Sequence, residues 1–271
     1  MQLVLVRKAG LVMKNNGAKI LVLDVETAPM LSYHWGLFDQ NIALNQIKKE
    51  WHLLSFAAKW LNEPKMFYAD QRNVKNIEND KHLAEKLWKL MDEADIIIGQ
   101  NIKAFDRKKI NARFLQHGLK PPSSYKMIDT LTIAKKNFAF TSNKLAFMSN
   151  AFNKKYKKLD HSKFSGFSLW SECLKGNKKA FVEMEKYNKY DVLSTEELYK
   201  TLAPWDYSIN FDVYHDKESV VCQCGSSDFK AKGFAYTNTG KFQRFICKSC
   251  GKQHTSKFNL LTKEKKKSLR N

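Results

Sequence analysis

The spacing of apolar residues in the first part of the chain predicts three β-strands. Residues 20–26 form one apolar run, residues 52–60 form a second, and residues 65–69 form a third. The segment Asn62-Glu-Pro64, between the last two runs, is typical of a tight turn. We therefore expect a sheet with an antiparallel start, in which the second and third strands form a hairpin.

The pattern then changes to amphipathic helices that alternate with a short buried strand. Residues 83–91 keep a helical period, Ile96-Ile-Ile98 is a short apolar run, and a second helical pattern runs from Phe105 to Gly118. Helices that cross between strands of one sheet are typical of α/β domains. The sequence therefore predicts a mixed sheet with flanking helices.

The remainder of the chain is predicted to contain more helices, a linker and a small C-terminal domain. Helical spacing dominates residues 142–203, apart from a basic stretch at 154–166, and Pro204 ends it. We predict five segments: an N-terminal extension at residues 1–18, an α/β domain at 19–203, a linker at 204–220, a cysteine-containing β domain at 221–260 and a basic tail at 261–271.

Carboxylates interrupt this pattern at three widely separated places. Asp24 and Glu26 stand two residues apart in the first strand, so alternation places both on one face of the sheet. Asp106 stands at the start of a predicted helix, and Tyr187 and Asp191 are one helical turn apart. Neighbouring acids resist joint ionisation unless a cation lies between them. A metal site is one interpretation, and a hydrogen-bonded acid at a strand end is the alternative for the first motif alone.

In this order, the three motifs resemble those of the DnaQ-like 3′ to 5′ exonucleases of the DEDDy subtype. The matching elements are Asp24-x-Glu26, Asn101-x-x-x-Phe105-Asp106 and Tyr187-x-x-x-Asp191, within residues 19–203. Ile128-Asp129-Thr130 is similar to a recurrent segment between the second and third motifs, in which Asp129 is expected to be structural. The resemblance implies an RNase H-like fold and a metal-dependent phosphodiester hydrolase.

The resemblance also implies catalysis by two metal ions, for which oxygen ligands favour Mg²⁺ or Mn²⁺. Asp24 is expected to bridge the two ions, while Glu26 and Asp191 complete the shell of the ion that holds the attacking water. Asp106 is expected to hold the second ion. Tyr187 is expected to orient or deprotonate the water, and a core aromatic is the alternative interpretation of this residue.

Four of the five cysteines form two pairs, Cys222-Gln-Cys224 and Cys247-Lys-Ser-Cys250. Four thiolates at this spacing fit a closed tetrahedral Zn²⁺ site. The segment resembles a zinc ribbon, whose ion supplies folding energy, although its first pair has one intervening residue instead of two. Reduced thiols without metal are the alternative. Cys173 is expected to be a buried thiol.

The formal net charge is +20, and half of this excess lies in residues 221–271, which hold 12 Lys and Arg against two acids. A polyanion such as nucleic acid is therefore the expected partner. Aromatic residues interleave with the basic ones, which suits single-stranded nucleic acid. The tail is expected to be a solvated, disordered charge run. We predict phosphate contacts from Lys241, Arg244, Lys248 and Lys252.

Together, the motifs and the charge predict a 3′ to 5′ exonuclease that acts on DNA rather than RNA. An exoribonuclease of the same fold and a non-catalytic nucleic-acid-binding adaptor are the alternatives. Polymerase motifs are absent from the sequence, so proofreading would need a DNA polymerase, or another replication or repair protein, acting in trans.

The sequence favours an intracellular location. No signal peptide is recognised in the first residues, and no apolar run approaches the roughly 20 residues of a membrane span. The cysteines are expected to be thiols or metal ligands in a reducing compartment. We therefore expect a cytoplasmic protein, or a virus-encoded one acting in its host cell, without a membrane partner.

Overall fold

A computed structural model describes residues 17–159, 163–214, 216 and 219–270 of the chain. The chain forms two compact units, one of residues 19–201 and one that includes the residues from 202 onward. The predicted N-terminal extension lies almost entirely outside the described residues. Within the described ranges, no helix has the length and apolar character needed to cross a membrane.

The first unit contains seven strands among its described residues. In chain order they are β1 (Ile20–Thr27), β2 (Leu31–Ser32), β3 (Ile47–Lys49), β4 (Leu53–Trp60), β5 (Met66–Asp70), β6 (Ile96–Gly99) and β7 (Lys126–Asp129). Five of them form a sheet in the order β5-β4-β1-β6-β7, and β2 and β3 form a separate pair. β1 pairs antiparallel with β4 and parallel with β6, so the predicted mixed sheet is confirmed.

Helices pack on both faces of this sheet. They are α1 (Lys81–Asp92), α2 (Asp106–Gln116), α3 (Thr130–Asn137), α4 (Leu145–Phe152), α5 (Ser168–Leu174) and α6 (Lys178–Leu202). One buried apolar cluster joins Leu21, Leu23 and Val25 of β1 to α1 and α2. A second cluster joins Leu54 of β4 to α5 and α6. Because side chains alternate along a strand, Asp24 belongs to the face opposite Leu23 and Val25.

The second unit contains a three-stranded antiparallel sheet. Its strands are β8 (Phe229–Thr237), β9 (Gly240–Cys247) and β10 (Gln253–Asn259), and β9 is the central one. β8 and β9 form an antiparallel hairpin, and β10 pairs antiparallel with β9. A short helix, α7 (Lys263–Lys267), follows, and the hydroxyl of Thr262 accepts a hydrogen bond from the Lys265 N–H at 3.2 Å. The prediction of a disordered tail is therefore wrong for these five residues.

Candidate active site

The central strand β1 presents the first two acidic residues side by side. Asp24 is opposite Ala57 of β4 and Glu26 is opposite Ser55, and both acids are only partly exposed. α6 crosses the same face and brings the buried Asp191 to them. One carboxylate oxygen from each of the three residues lies within 4.8 Å of the others. Residues separated by 165 positions in sequence thus form one acidic cluster.

Asp106 adjoins this cluster from the start of α2 and lies outside the 4.8 Å group. Its Oδ1 accepts a hydrogen bond from the backbone N–H of Val25 at 3.3 Å, and the residue is buried. Asp106 is therefore fixed against the backbone between Asp24 and Glu26.

The cluster strongly disfavours the ionised form of its own carboxyl groups. Burial, followed by repulsion from Asp191, Asp106 and Glu26, raises the pKa of Asp24 well above its ordinary value. Burial and Asp191 raise the pKa of Glu26 to about 8, and burial raises the pKa of Asp106 to about 6. A divalent cation would relieve this repulsion, and an all-oxygen donor set is the type that Mg²⁺ and Mn²⁺ prefer. The residues therefore fit such an ion.

Lys158 enters the cluster from the basic stretch between α4 and α5. Its ammonium lies 2.5 Å from Asp191 Oδ2 and 4.5 Å from the centre of the Tyr187 ring. Burial opposes its charge, but the charge of Asp191 raises the pKa of Lys158 above its ordinary value. The sequence contains five lysines at 154–166 without periodicity, so no signal distinguished this one.

Tyr187 lies beside the acids on α6, as its spacing from Asp191 predicted. Its ring meets that of Trp170 edge to face, with the ring centres 6.0 Å apart. Burial, and then the charge of Asp191, raises the pKa of the Tyr187 phenol. The phenol therefore stays protonated at neutral pH in the metal-free protein.

Asn188 is a further residue of the site that the sequence did not reveal. Its side-chain amide donates to Asp24 Oδ2 at 2.6 Å, and its Oδ1 accepts from the Ser55 hydroxyl at 3.1 Å. Both Asn188 and Ser55 are fully buried. Ser55 and Asn188 thus form a buried hydrogen-bond chain that orients the Asp24 carboxylate.

Asp129 is structural, as expected. Its carboxylate accepts from the backbone N–H groups of Asn101, Lys103 and Leu131 at distances of 2.9, 3.2 and 3.0 Å. Asn101 has a positive φ of 61°, a conformation that asparagine tolerates better than most residues. Asp129 thus holds the loop that leads to Asp106 while it caps α3.

The four cysteines of the second unit also form a cluster. The sulfurs of Cys222, Cys224, Cys247 and Cys250 lie within 4.8 Å of one another. The sulfurs of Cys222 and Cys250 are 3.5 Å apart, and those of Cys224 and Cys247 are 3.6 Å apart. Sulfurs bound to Zn²⁺ at about 2.3 Å in a tetrahedron would be about 3.8 Å apart. The cluster is therefore compatible with a zinc ribbon. Cys173, by contrast, is a buried thiol whose pKa burial raises to about 12.

The four basic residues predicted to contact phosphate occupy different environments. Lys241 and Arg244 are half-buried on β9, and Lys241 lies 4.0 Å from the centre of the Phe234 ring. Lys248 pairs with Asp228 at 2.9 Å on the surface. Lys252 is buried, and its ammonium donates to the Asp206 carbonyl and the Gln223 side chain. The prediction for Lys252 is therefore corrected: its charge is directed inward and does not face a nucleic acid.

A mixed sheet with clustered carboxylates on its central strand defines a nuclease-like α/β domain. The model of the RNase H superfamily matches residues 48–203, more than half of the chain, so the chain belongs to that superfamily. The predicted RNase H-like fold is confirmed. Membership supports a nuclease with nucleic acid as its substrate and divalent metal ions as the usual cofactors. The matched range includes Asp106, Tyr187 and Asp191 and begins after Asp24 and Glu26.

Comparison with solved structures gives a distant similarity. The family B DNA polymerase from the hyperthermophilic archaeon Pyrobaculum calidifontis matches with 13% identity and a TM-score of 0.49. The match covers 73% of this chain and 27% of the polymerase, so the chain spans little more than a quarter of that protein's length. No curated protein sequence matches the chain.

Proposed function

We propose that the protein is a metal-dependent 3′ to 5′ exonuclease that acts on DNA. The observation that carries the proposal is the convergence of Asp24, Glu26 and Asp191 within 4.8 Å beside Tyr187. Such a group of acids repels a phosphodiester unless a cation is present, so it is suited to catalysis and poorly suited to simple binding. The preference for the 3′ end and for DNA rests on the resemblance of the three motifs.

We assign the catalytic domain to residues 19–203, with Asp24, Glu26, Asp106 and Asp191 as ligands of two Mg²⁺ or Mn²⁺ ions. When bound, such ions lower the pKa of water and stabilise charge on the leaving 3′ oxygen. Asn188 donates a hydrogen bond to Asp24 Oδ2 at 2.6 Å and so orients the Asp24 carboxylate. Asp106 is held in place by the Val25 N–H.

Tyr187 and Lys158 would act on the water and the phosphate. Because Tyr187 lies on α6 one helical turn before Asp191, we propose that its phenol orients the attacking water by a hydrogen bond. Lys158 carries its charge at 2.5 Å from Asp191 and partly neutralises the cluster. An ammonium in this position is also able to contact a non-bridging phosphate oxygen.

The second part of the proposal concerns the C-terminal residues. We propose that residues 204–220 are a linker, that residues 221–260 form a zinc ribbon with one structural Zn²⁺, and that the tail at 261–271 adds nonspecific attraction. Tyr236 is well exposed on β8, and Lys241 lies over the Phe234 ring. An aromatic surface with adjacent cations suits the stacking of bases and contacts with phosphate. Proofreading for a polymerase in trans is compatible with these roles.

The decisive experiment is degradation of 5′-labelled oligonucleotides by the full chain. Single-stranded DNA, single-stranded RNA and recessed duplex DNA would each be incubated with Mg²⁺ or with EDTA, and product lengths followed over time. A ladder that shortens from the 3′ end, requires Mg²⁺ and forms faster on DNA is expected. Faster cleavage of RNA would replace DNA with RNA in the proposal.

Two variants make this experiment specific. Asp24→Asn keeps the shape of the side chain and removes one ligand charge, so it should abolish cleavage. Glu85→Gln on α1 is the matched control, because its carboxylate is exposed and lies 3.9 Å from Lys81 in a weak ion pair. If wild type and Asp24→Asn bind the oligonucleotide equally and neither cuts it, the adaptor alternative is correct.

A further inference from the structure

A loop that follows the strand carrying Asp24 and Glu26 exposes several large apolar side chains. This loop, residues 33–46, connects β2 to β3 and is called the apolar loop below. Trp35 is 98% exposed, and Leu37 and Leu44 are each 85% exposed. Its exposed apolar residues are Tyr33, Trp35, Leu37, Phe38, Ile42 and Leu44. Soluble proteins rarely expose this much apolar surface in one segment unless it serves as a binding site.

The apolar loop is an ordered structure that is closed at its base. The backbone N–H of Tyr33 donates to the Gln46 carbonyl at 2.9 Å, and the Gln46 side-chain amide donates back to the Tyr33 carbonyl at 3.0 Å. Gln46 Oε1 also accepts from the Ala43 N–H at 2.8 Å. The hydrogen-bonding groups at the base are thus satisfied within the loop, while the large side chains project outward.

The apolar loop is directly continuous with the strand that carries the catalytic acids. β1 ends at Thr27, and the Ala28 N–H donates to the His52 carbonyl at 2.8 Å, where the chain leaves and later rejoins the main sheet. Tyr33 is seven positions after Glu26, a path of at most about 25 Å when fully extended. A stacked strand advances about 3.4 Å per nucleotide. The base of the apolar loop is therefore within about seven nucleotides of a 3′ end held at the acidic cluster.

The chemistry of the apolar loop suits unpaired bases. Its three exposed aromatic rings are those of Tyr33, Trp35 and Phe38, and Asp39 is its one charged residue in the sequence. The exposed Lys48 follows on β3, and its ammonium is able to contact a phosphate. Bases in a duplex stack on one another, whereas single-stranded bases leave their faces open to aromatic side chains.

We propose that the apolar loop binds the unpaired bases upstream of the 3′ nucleotide by stacking, so that the protein prefers single-stranded ends of several nucleotides. This inference rests on the proposed exonuclease function. Continuity with β1, which carries Asp24 and Glu26, favours a nucleic acid as the occupant. A second copy of the chain is an outcome that the experiment must separate from it.

The test measures kcat and KM on 5′-labelled oligothymidylates of two, four, eight and twelve nucleotides. The double variant Trp35→Ala/Phe38→Ala should raise KM at least tenfold on eight and twelve nucleotides, since removal of one stacking aromatic typically costs 5- to 150-fold in affinity. The loss should be much smaller on the dinucleotide, which extends least from the acidic cluster. Leu115→Ala on α2 is the matched control, because Leu115 is also highly exposed but lies outside the apolar loop.

A binding measurement in EDTA keeps the inference separate from catalysis. In the Asp24→Asn background, the twelve-nucleotide strand should quench tryptophan fluorescence, and Trp35→Phe should remove most of that quenching. If neither the wild type nor the Trp35→Ala/Phe38→Ala variant cuts any substrate but the quenching depends on Trp35, the exonuclease proposal fails while the loop still binds nucleic acid. An equal loss at every length, or no loss at any length, overturns the inference. Sedimentation that shows a dimer dependent on Trp35, with unchanged KM, would assign the loop to self-association instead.

Discussion

Binding of Mg²⁺ to the acidic cluster should release protons, and the structure indicates how many. The Glu26 carboxyl has a pKa of about 8 in the metal-free protein, because of burial and the neighbouring Asp191. At pH 7, about nine-tenths of the molecules therefore carry a proton on Glu26. A carboxylate must be deprotonated to bind a cation, so binding should release about 0.9 proton from this residue alone. Asp24, whose pKa is also raised, adds to this number.

The same reasoning predicts the pH dependence of affinity and of stability. As pH rises toward 8, Mg²⁺ affinity should increase, with a slope that approaches tenfold per pH unit well below the Glu26 pKa and flattens near it. The folded pKa of Glu26 exceeds its unfolded value of 4.5, so the metal-free protein is most stable below pH 4.5 with respect to this group and loses stability as pH rises through 8. The loss is at most about 5 kcal/mol, and partial exposure of Glu26 reduces it.

Isothermal titration calorimetry tests this prediction directly. Mg²⁺ would be titrated at pH 7 in Pipes and in Tris, whose ionisation enthalpies differ, and the difference in apparent enthalpy gives the protons released. Glu26→Gln should lower that number, both by removing one titrating group and by weakening the repulsion that raises the pKa of Asp24, whereas Glu85→Gln should leave it unchanged. Binding that is identical in the two buffers would refute the raised pKa values and the place of Glu26 in the site.

Three further predictions follow from other residues of the two clusters. Tyr187→Phe should lower kcat by roughly 100-fold or more without changing Mg²⁺ affinity, and single-turnover kinetics would check this. Lys158→Met should move the pH midpoint of Mg²⁺ binding upward, because the Lys158 charge lowers the pKa values of Asp24 and Glu26; Lys158→Arg should restore it. Cys222→Ser should reduce bound zinc, measured by atomic emission, from one ion per chain to well below one, and should open the C-terminal unit to proteolysis.

Elements with a strong hydrophobic period were predictable from the sequence. The runs that became β1, β4 and β6 are continuous and apolar, and α1 and α2 keep a clear helical period. Alternation along β1 also placed Asp24 and Glu26 on one face without any tertiary information. These predictions succeeded because the local hydrophobic pattern of each element agrees with the face that the element buries in the folded domain.

The predictions that were wrong, and the site residue that was missed, concern positions whose environment is set by contacts between residues distant in sequence or by a helix cap. The prediction for Lys252 followed the rule that lysine is solvated, but the Asp206 carbonyl and the Gln223 amide oxygen satisfy its ammonium inside the unit. Asn188 has no sequence signal because its partner Ser55 is 133 positions away. In the tail, a threonine cap at Thr262 allows a short helix despite the run of lysines.

The energetics of the acidic cluster also discriminate between an enzyme and an adaptor. Without a cation, the partly buried Asp24 and Glu26 must either stay protonated or ionise against Asp191, and both outcomes oppose folding or binding of a polyanion at neutral pH. Lys158 offsets this repulsion only in part, since the pKa of Glu26 remains at about 8 beside it. Replacing Glu26 with glutamine would therefore stabilise the metal-free fold. A protein that only tethers nucleic acid gains nothing from this arrangement, whereas a nuclease that binds divalent cations gains its catalytic site.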